Sequence, residues 1–218
     1  MRARALRARG WSIKEIQQAL GVSRSSVSLW VRDVPLTEAQ RASLAARVRL
    51  GPLRAGERSS ARAREQRRIF QERGHLRAQL GSVTYAAGCM LYWAEGGKRR
   101  NSVLLTNADP HVLAFFARFL REEFDVTDEA MSVYCNLFAD HLSRQREVED
   151  FWLCTLALPR SALRKSMVNV YSKYSQKKRD NKLPYGTCRL VVHSTAIVQT
   201  IYGSIQEYGG FDRPEWLD

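Results

Sequence analysis

Glu95 is a lone acid at the end of an apolar stretch, Thr84 to Ala94, with Gly96 and Gly97 directly behind it. A carboxylate there faces the negative end of a helix macrodipole, which costs about 0.3–1 kcal/mol. A carboxylate there can be one ligand of a metal ion, but metal-assisted chemistry needs several ligands converging on one cation. The nearest repeat of the pattern, Asp150-Phe151-Trp152, runs on as Leu153-Cys154-Thr155-Leu156-Ala157-Leu158 and brings no second acid. Glu147, Glu149 and Asp150 sit near the start of that helix, where they suit the dipole and need no further role. Glu95 is therefore expected to be a non-catalytic remnant held by Lys98, Arg99 or Arg100, with no metal or other cofactor. The alternative is a buried helix with a glycine stop, with Gly96 and Gly97 supplying the left-handed backbone and Ala86, Ala87 and Gly88 admitting a second backbone.

A second chemistry, hydrogen-bond readout of base edges, is offered by Ser23-Arg24-Ser25-Ser26. Ser12-Ile13-Lys14-Glu15 reads as a capping box opening a helix with Ile16 and Leu20 four apart. Gly21 ends it, and Ser23 caps a second helix to about Arg32 that buries Val27, Trp30 and Val31. Arg2 to Arg9, with Leu6, supplies a supporting helix. This is the spacing of a helix-turn-helix, although Gln17 stands where alanine is usual. In that geometry Arg24, Ser25, Ser28 and Arg32 face base edges in the major groove. Arg2, Arg4, Arg7, Lys14 and Ser23 are placed for phosphates, Ser23 doubling as the cap. A plain helical hairpin shares the periodicity but not the exposed Ser-Arg-Ser-Ser.

These elements sit in a lopsided chain. Of its 35 lysines and arginines and 22 acids, residues 1–80 hold 18 and 6, so nearly all of the net charge of +13 lies in that front third. Such a balance fits a polyanion-binding front end. No run of apolar residues is long enough to cross a membrane and no signal pattern opens the chain, so a cytoplasmic, nucleoid-associated protein is expected. Cys89, Cys135, Cys154 and Cys188 lack CxxC spacing and read as free buried thiols, and the four histidines are dispersed, which argues against zinc.

The expected division is 1–35 helix-turn-helix, 36–80 an arginine-rich, basic helical connector and 81–218 an α+β domain. Gly51-Pro52 is expected to break the connector, and Ser59 or Ser60 to start a helix carrying Arg62, Arg64, Arg67 and Arg68. That segment is either a solvated linker or an arm along DNA, Arg62 then touching phosphate. In the last domain strands are expected at 102–106, 131–138 and 188–193. Helices are expected from Pro110 (capped by Asn107 or Asp109), over 146–156, around 163–170 and over 196–208. Lys173, Lys177, Lys178, Arg179 and Lys182, with Lys98, Arg99 and Arg100, form the expected phosphate-contacting set of that domain.

The order of apolar helix, then Ala94-Glu95-Gly96, resembles the signature helix of the LAGLIDADG homing-endonuclease family, with Trp93 where that family often has an acid. A weak repeat supports the resemblance. Val103-Leu104-Leu105-Thr106-Asn107 parallels Leu190-Val191-Val192-His193-Ser194, and Leu91-Tyr92-Trp93 parallels Asp150-Phe151-Trp152. The resemblance implies a LAGLIDADG-like α/β domain with two pseudo-symmetric halves in one chain, and it brings in Mg²⁺ only if two chains pair their Glu95 side chains as a nuclease. The whole arrangement is similar to small bacterial and phage DNA-binding proteins.

The expectation is thus a sequence-specific double-stranded DNA-binding transcriptional regulator, a repressor of phage or mobile-element type. It would act as a monomer on an asymmetric site, with an inactive LAGLIDADG-like domain and no small-molecule ligand. The alternatives are an active homing-type endonuclease and a DNA-packaging or recombination accessory protein.

Overall fold

Ser12 and Ser23 each start a helix as their spacing predicts. The computed structural model describes residues 2–169 and 183–218, and the chain divides between Ala63 and Arg64 into two units. In the first unit, α1 (Arg2–Ala8), α2 (Ile13–Leu20) and α3 (Arg24–Val31) pack pairwise. Their core is Ala3, Ile16, Val27 and Val31, edged by Leu6, Ile13, Leu20, Val22 and Val34. Gly21 sits at φ +65°, the left-handed turn that glycine permits. Trp30 departs from expectation. Val27 and Val31, one turn apart, fill the core and leave the indole on the outer side, 44% exposed.

The connector is a single helix. α4 (Glu38–Leu80) runs through Gly51-Pro52 without ending, and Ser59 and Ser60 lie inside it. Its start is a second capping box, Thr37 N–H donating to Gln40 Oε1 at 3.0 Å and Gln40 N–H to Thr37 Oγ1 at 3.2 Å. Proline removes one N–H donor, but the arginines and alanines on either side favour helix strongly. Nor is the whole segment solvated. Arg67, Gln71, Gly74 and Ala78 are buried, spaced four, three and four apart along one stripe.

That stripe belongs to the second unit and crosses α8 (Thr195–Gly209). The crossing is close enough that a Cβ on Gly74 would lie 2.1 Å from the Thr200 carbonyl oxygen, and one on Gly203 2.0 Å from that of Gln71. Buried glutamines join the two helices. Gln71 Nε2 donates to Gln199 Oε1 at 2.7 Å and Gln206 Nε2 to Gln71 Oε1 at 3.0 Å. Since buried amides must find partners, their mutual bonding lets polar residues line the seam.

The remaining elements are α5 (Val83–Glu95), β1 (Val103–Asn107), α6 (Pro110–Phe124), β2 (Met131–Phe138), α7 (Gln145–Leu156), β3 (Met167–Asn169) and β4 (Thr187–Val192). Asp109 caps α6, accepting from His111 and Val112 N–H. The strands form one mixed sheet in the order β1-β4-β2-β3, with β1–β4 and β4–β2 antiparallel and β2–β3 parallel. Val103, Leu105, Met131, Val133, Cys135, Leu137, Cys188, Leu190 and Val192 point from it into the helical core. The unit is α+β, and no described helix is long and apolar enough to cross a membrane.

Four expectations change here. Where a helix is expected over 163–170, the described residues 163–169 are extended backbone: Leu163 bridges to Val133, Arg164 N–H donates to Val133 O at 2.8 Å, and β3 follows, while residue 170 lies outside the described residues. Gly96 is not left-handed but extended (φ −74°, ψ 149°), because it bridges to Leu105 beside β1. Gly88 admits the ring of Phe119 rather than a second backbone, and Ala87 is exposed. Finally, β1 and β4, the strands compared in the internal repeat, are neighbours in one sheet. The two leading helices are not each other's partners in it: α5 packs on α6, α8 and β1, while α7 packs on α6 and β2. Residues 81–218 therefore supply one sheet, and two pseudo-symmetric halves are not seen among the described residues.

Candidate nucleic-acid interface

In the first unit the outer side of α3 is built by what its inner side must bury. With Val27 and Val31 committed to the core, Arg24, Ser25, Ser28, Leu29 and Arg32 are all left exposed. Residues 25, 28, 29 and 32 follow a helical stripe, so their side chains present one face. Ser23 is the N-cap, its Oγ accepting from Ser26 N–H at 3.1 Å and lying 2.9 Å from Ser25 Oγ and 2.8 Å from Ser26 Oγ. The bonded serines fix the first turn, from which Arg24 projects. This face carries hydroxyls, two guanidinium groups and one apolar side chain, the donor and apolar set that reads base edges in a major groove.

Leu29 is the member sequence reasoning missed. It is 63% exposed at the centre of the face. The signal was its phase, two residues after Val27 and two before Val31, which sets it opposite the core. An exposed leucine there suits contact with a thymine methyl group.

The flanking basic residues differ in availability. Arg2 and Lys14 are exposed, as is Arg62 on α4. Arg4 is engaged, its two terminal nitrogens each 2.9 Å from the Asp33 carboxylate. That pairing holds the exposed Asp33 carboxyl below the usual carboxylate range. Arg7 donates to the Trp11 carbonyl at 2.9 Å. Glu15 closes the α2 capping box, accepting from Ser12 N–H at 2.7 Å and from Arg47 Nη1 at 2.8 Å.

In the second unit Glu95 is exposed at the end of α5, and among the described residues its carboxylate makes no hydrogen bond or ion pair. The expected partner Lys98 is occupied elsewhere. Its Nζ donates to the carbonyls of Trp93 at 2.7 Å, Gly96 at 3.1 Å and Tyr92 at 3.4 Å, capping the helix C-terminus. Burial, and then Arg213, push the Lys98 pKa down. Arg99 and Arg100 are exposed. Among the described residues no three histidine, cysteine or acidic side chains are grouped to hold a metal ion. The four cysteines are free, Cys154 exposed and the others buried. Lys173, Lys177, Lys178, Arg179 and Lys182 lie outside the described residues.

The sheet face turned from the helices adds a set that the sequence had not singled out. Thr106, Arg189 and Tyr134 lie in one cross-strand row, with Thr187 and Asn136 in the next. The Arg189 guanidinium lies 5.5 Å from the Tyr134 ring centroid, and Asn136 Nδ2 donates to Thr187 Oγ1 at 3.1 Å. Strand alternation is the signal: the odd-numbered residues of β1 and β2 and the even-numbered ones of β4 fill the core, leaving these on the other face.

Comparison with known proteins bears on the first unit. Residues 1–34 match the homeodomain-like domain family, a helix-turn-helix class. The N-terminal helix-turn-helix is thereby shown, and it suggests DNA binding. No curated protein matches the chain, and no solved structure matches it.

Proposed function

We propose that this protein is a sequence-specific double-stranded DNA-binding regulator, a repressor of phage or mobile-element type, with no catalytic activity and no cofactor. The observation that carries the reading is the outer face of α3, where Arg24, Ser25, Ser28, Leu29 and Arg32 are exposed together on a homeodomain-like helix-turn-helix. In this reading α3 enters the major groove, those side chains read bases, and Arg2 and Lys14 contact phosphates. Arg189, Tyr134 and Asn136 give the second unit a polar, basic sheet face for the same duplex. Selection of bound sites from a random duplex pool, followed by footprinting, tests this. Enrichment of one sequence supports it, and retention of all sequences alike leaves a packaging or accessory protein instead.

A second reading is favoured by the outer side of α5. Val83, Ala87 and Ala94 are exposed and Met90 and Leu91 half-buried along one stripe, and the helix has no charge before Glu95. Helices apolar on every side are ordinarily covered. Pairing of two chains there would make the regulator a homodimer rather than the monomer expected of a two-halved domain. It would also bring two Glu95 carboxylates into one neighbourhood, as a LAGLIDADG-like nuclease requires. Supercoiled plasmid with Mg²⁺ or Mn²⁺ separates the cases: nicking that vanishes in Glu95→Gln establishes the nuclease, and intact plasmid leaves the regulator.

A further inference from the structure

Arg67 is the one buried arginine among the described residues, 8% exposed. Its Nε donates to the Leu217 carbonyl at 2.6 Å, and among the described residues no acid bonds its guanidinium. The carboxylate near it, Asp218, is 65% exposed and taken by Arg64, whose Nε lies 3.0 Å away. Arg64 and Arg67 stand one turn apart on α4. Arg100 joins them from the loop before β1, which is fixed from beneath. Tyr202 OH donates to Arg99 O at 3.0 Å, and Gln199 Nε2 donates both to Arg100 O at 2.9 Å and to Trp216 O at 3.1 Å. Gln199 thus ties the Arg100 loop to the C-terminal turn that holds Arg67. With the carbonyls of Arg99 and Arg100 turned inward, their side chains are left exposed and, among the described residues, unbonded.

Arg64 and Arg67 on α4 and Arg100 on the tied loop thus bring three arginines to one corner of the second unit, where the Asp218 side chain, engaged by Arg64, is the one acidic side chain paired there among the described residues. Arginine does not deprotonate in proteins, so the repulsion is not relieved by loss of a proton. Burial, then the Arg100 charge, push the Arg67 pKa down, with Asp218 opposing and Arg64 adding to the fall. A buried charge is stable when an opposite charge and hydrogen bonds meet it, and planar forks match phosphate oxygens in pairs.

We propose that this corner is a phosphate-binding site, in which Arg67 and Arg100 hold the oxygens of one phosphate group and Arg64 lends charge. The phosphate comes either from a DNA backbone, in which case the site rests on the DNA-binding reading, or from free phosphate. Side-chain ¹⁵N NMR of the full chain reads it at Arg67 Nε–Hε, the proton bonded to Leu217. Inorganic phosphate is expected to shift that signal saturably where chloride at matched ionic strength does not, and Arg100→Gln to weaken the effect tenfold or more. With duplex DNA, Arg100→Gln is expected to reduce the slope of log affinity against log salt by about one, the release expected for one phosphate contact. Because Arg67→Gln risks the fold, Arg67→Lys, which keeps the charge and loses the fork, is the second variant and is expected to bind more weakly. A phosphate shift with an unchanged duplex slope keeps the site and makes free phosphate its ligand. A phosphate shift in a chain that binds no duplex sinks the DNA reading and leaves the site standing. Phosphate acting like chloride, together with an unchanged slope in Arg100→Gln, overturns the proposal.

Discussion

Arg24 and Leu29 divide the work of reading bases in the proposed complex, and the two make separable predictions. Arg24→Ala is expected to cost about 1–3 kcal/mol on the selected site and to relax preference at one base pair. Equal weakening on every sequence would make it a phosphate contact. Leu29 has no hydrogen bond to offer, so its contribution is tested on the DNA. Replacing one thymine of the site by uracil removes only the methyl group, and is expected to weaken the wild-type chain while leaving Leu29→Ala indifferent. A site in which no thymine-to-uracil change matters would remove Leu29 from the interface. The exposure of Arg24 was legible in the sequence because a charged residue directly after a capping serine has few structural duties. Leu29 was not, because leucine in a short helix reads as core until the two valines around it are known to fill that core. Trp30 is hidden in the same way: its large indole reads as interior by residue type, but α3 has inward positions for Val27 and Val31 only.

The elements were legible where they are signalled by caps and strand alternation. Ser12, Ser23 and Asp109 cap helices where the sequence placed them, and β2 has the expected bounds. What stayed hidden was pairing at a distance. The stripe Arg67, Gln71, Gly74, Ala78 looks solvated by residue type, and only the glutamines of α8 explain its burial. At the crossing, Gly74→Ala sets a Cβ 2.1 Å from backbone oxygen, contact that no side-chain motion relieves. It is expected to destabilise the second unit by at least the roughly 1–3 kcal/mol of an overpacked core. Gly56→Ala, where nothing lies within 4 Å, is expected to be neutral or slightly stabilising by urea denaturation. In α2 the prediction concerns pH. The Glu15 carboxyl is held below its ordinary value by the Ser12 backbone and side-chain hydrogen bonds and by Arg47. A lowered folded pKa stabilises above the unfolded value near 4.5 and is lost as pH falls through the folded one. The Ile16 methyl NMR signal in urea is therefore expected to show the first unit weakening between about pH 5 and pH 3, less in Glu15→Gln. Equal acid sensitivity in both would show that the carboxylate charge contributes nothing there.

For the whole molecule, charge and apolar surface pull association in opposite directions, and salt separates them. The chain carries +13, so two copies repel, and that repulsion is screened over about 10 Å at 0.1 M salt. A duplex is the opposite case: each phosphate contact releases counterions, and affinity falls steeply as salt rises. The outer stripe of α5 has no charge of its own, and burying it is insensitive to screening. Self-association through α5 is thus expected to strengthen with added salt over the same range in which DNA binding weakens. Light scattering of the free chain across a salt series, beside DNA titrations in the same buffers, reads both trends. Ala87→Arg places a charge on an exposed position of the stripe, where it leaves the monomer fold intact. It is expected to abolish the dimer at every salt concentration and to weaken binding to a two-fold symmetric site far more than to one half of it. A chain that stays monomeric throughout, on a site with no symmetry between its ends, would instead return the one-chain mode of binding.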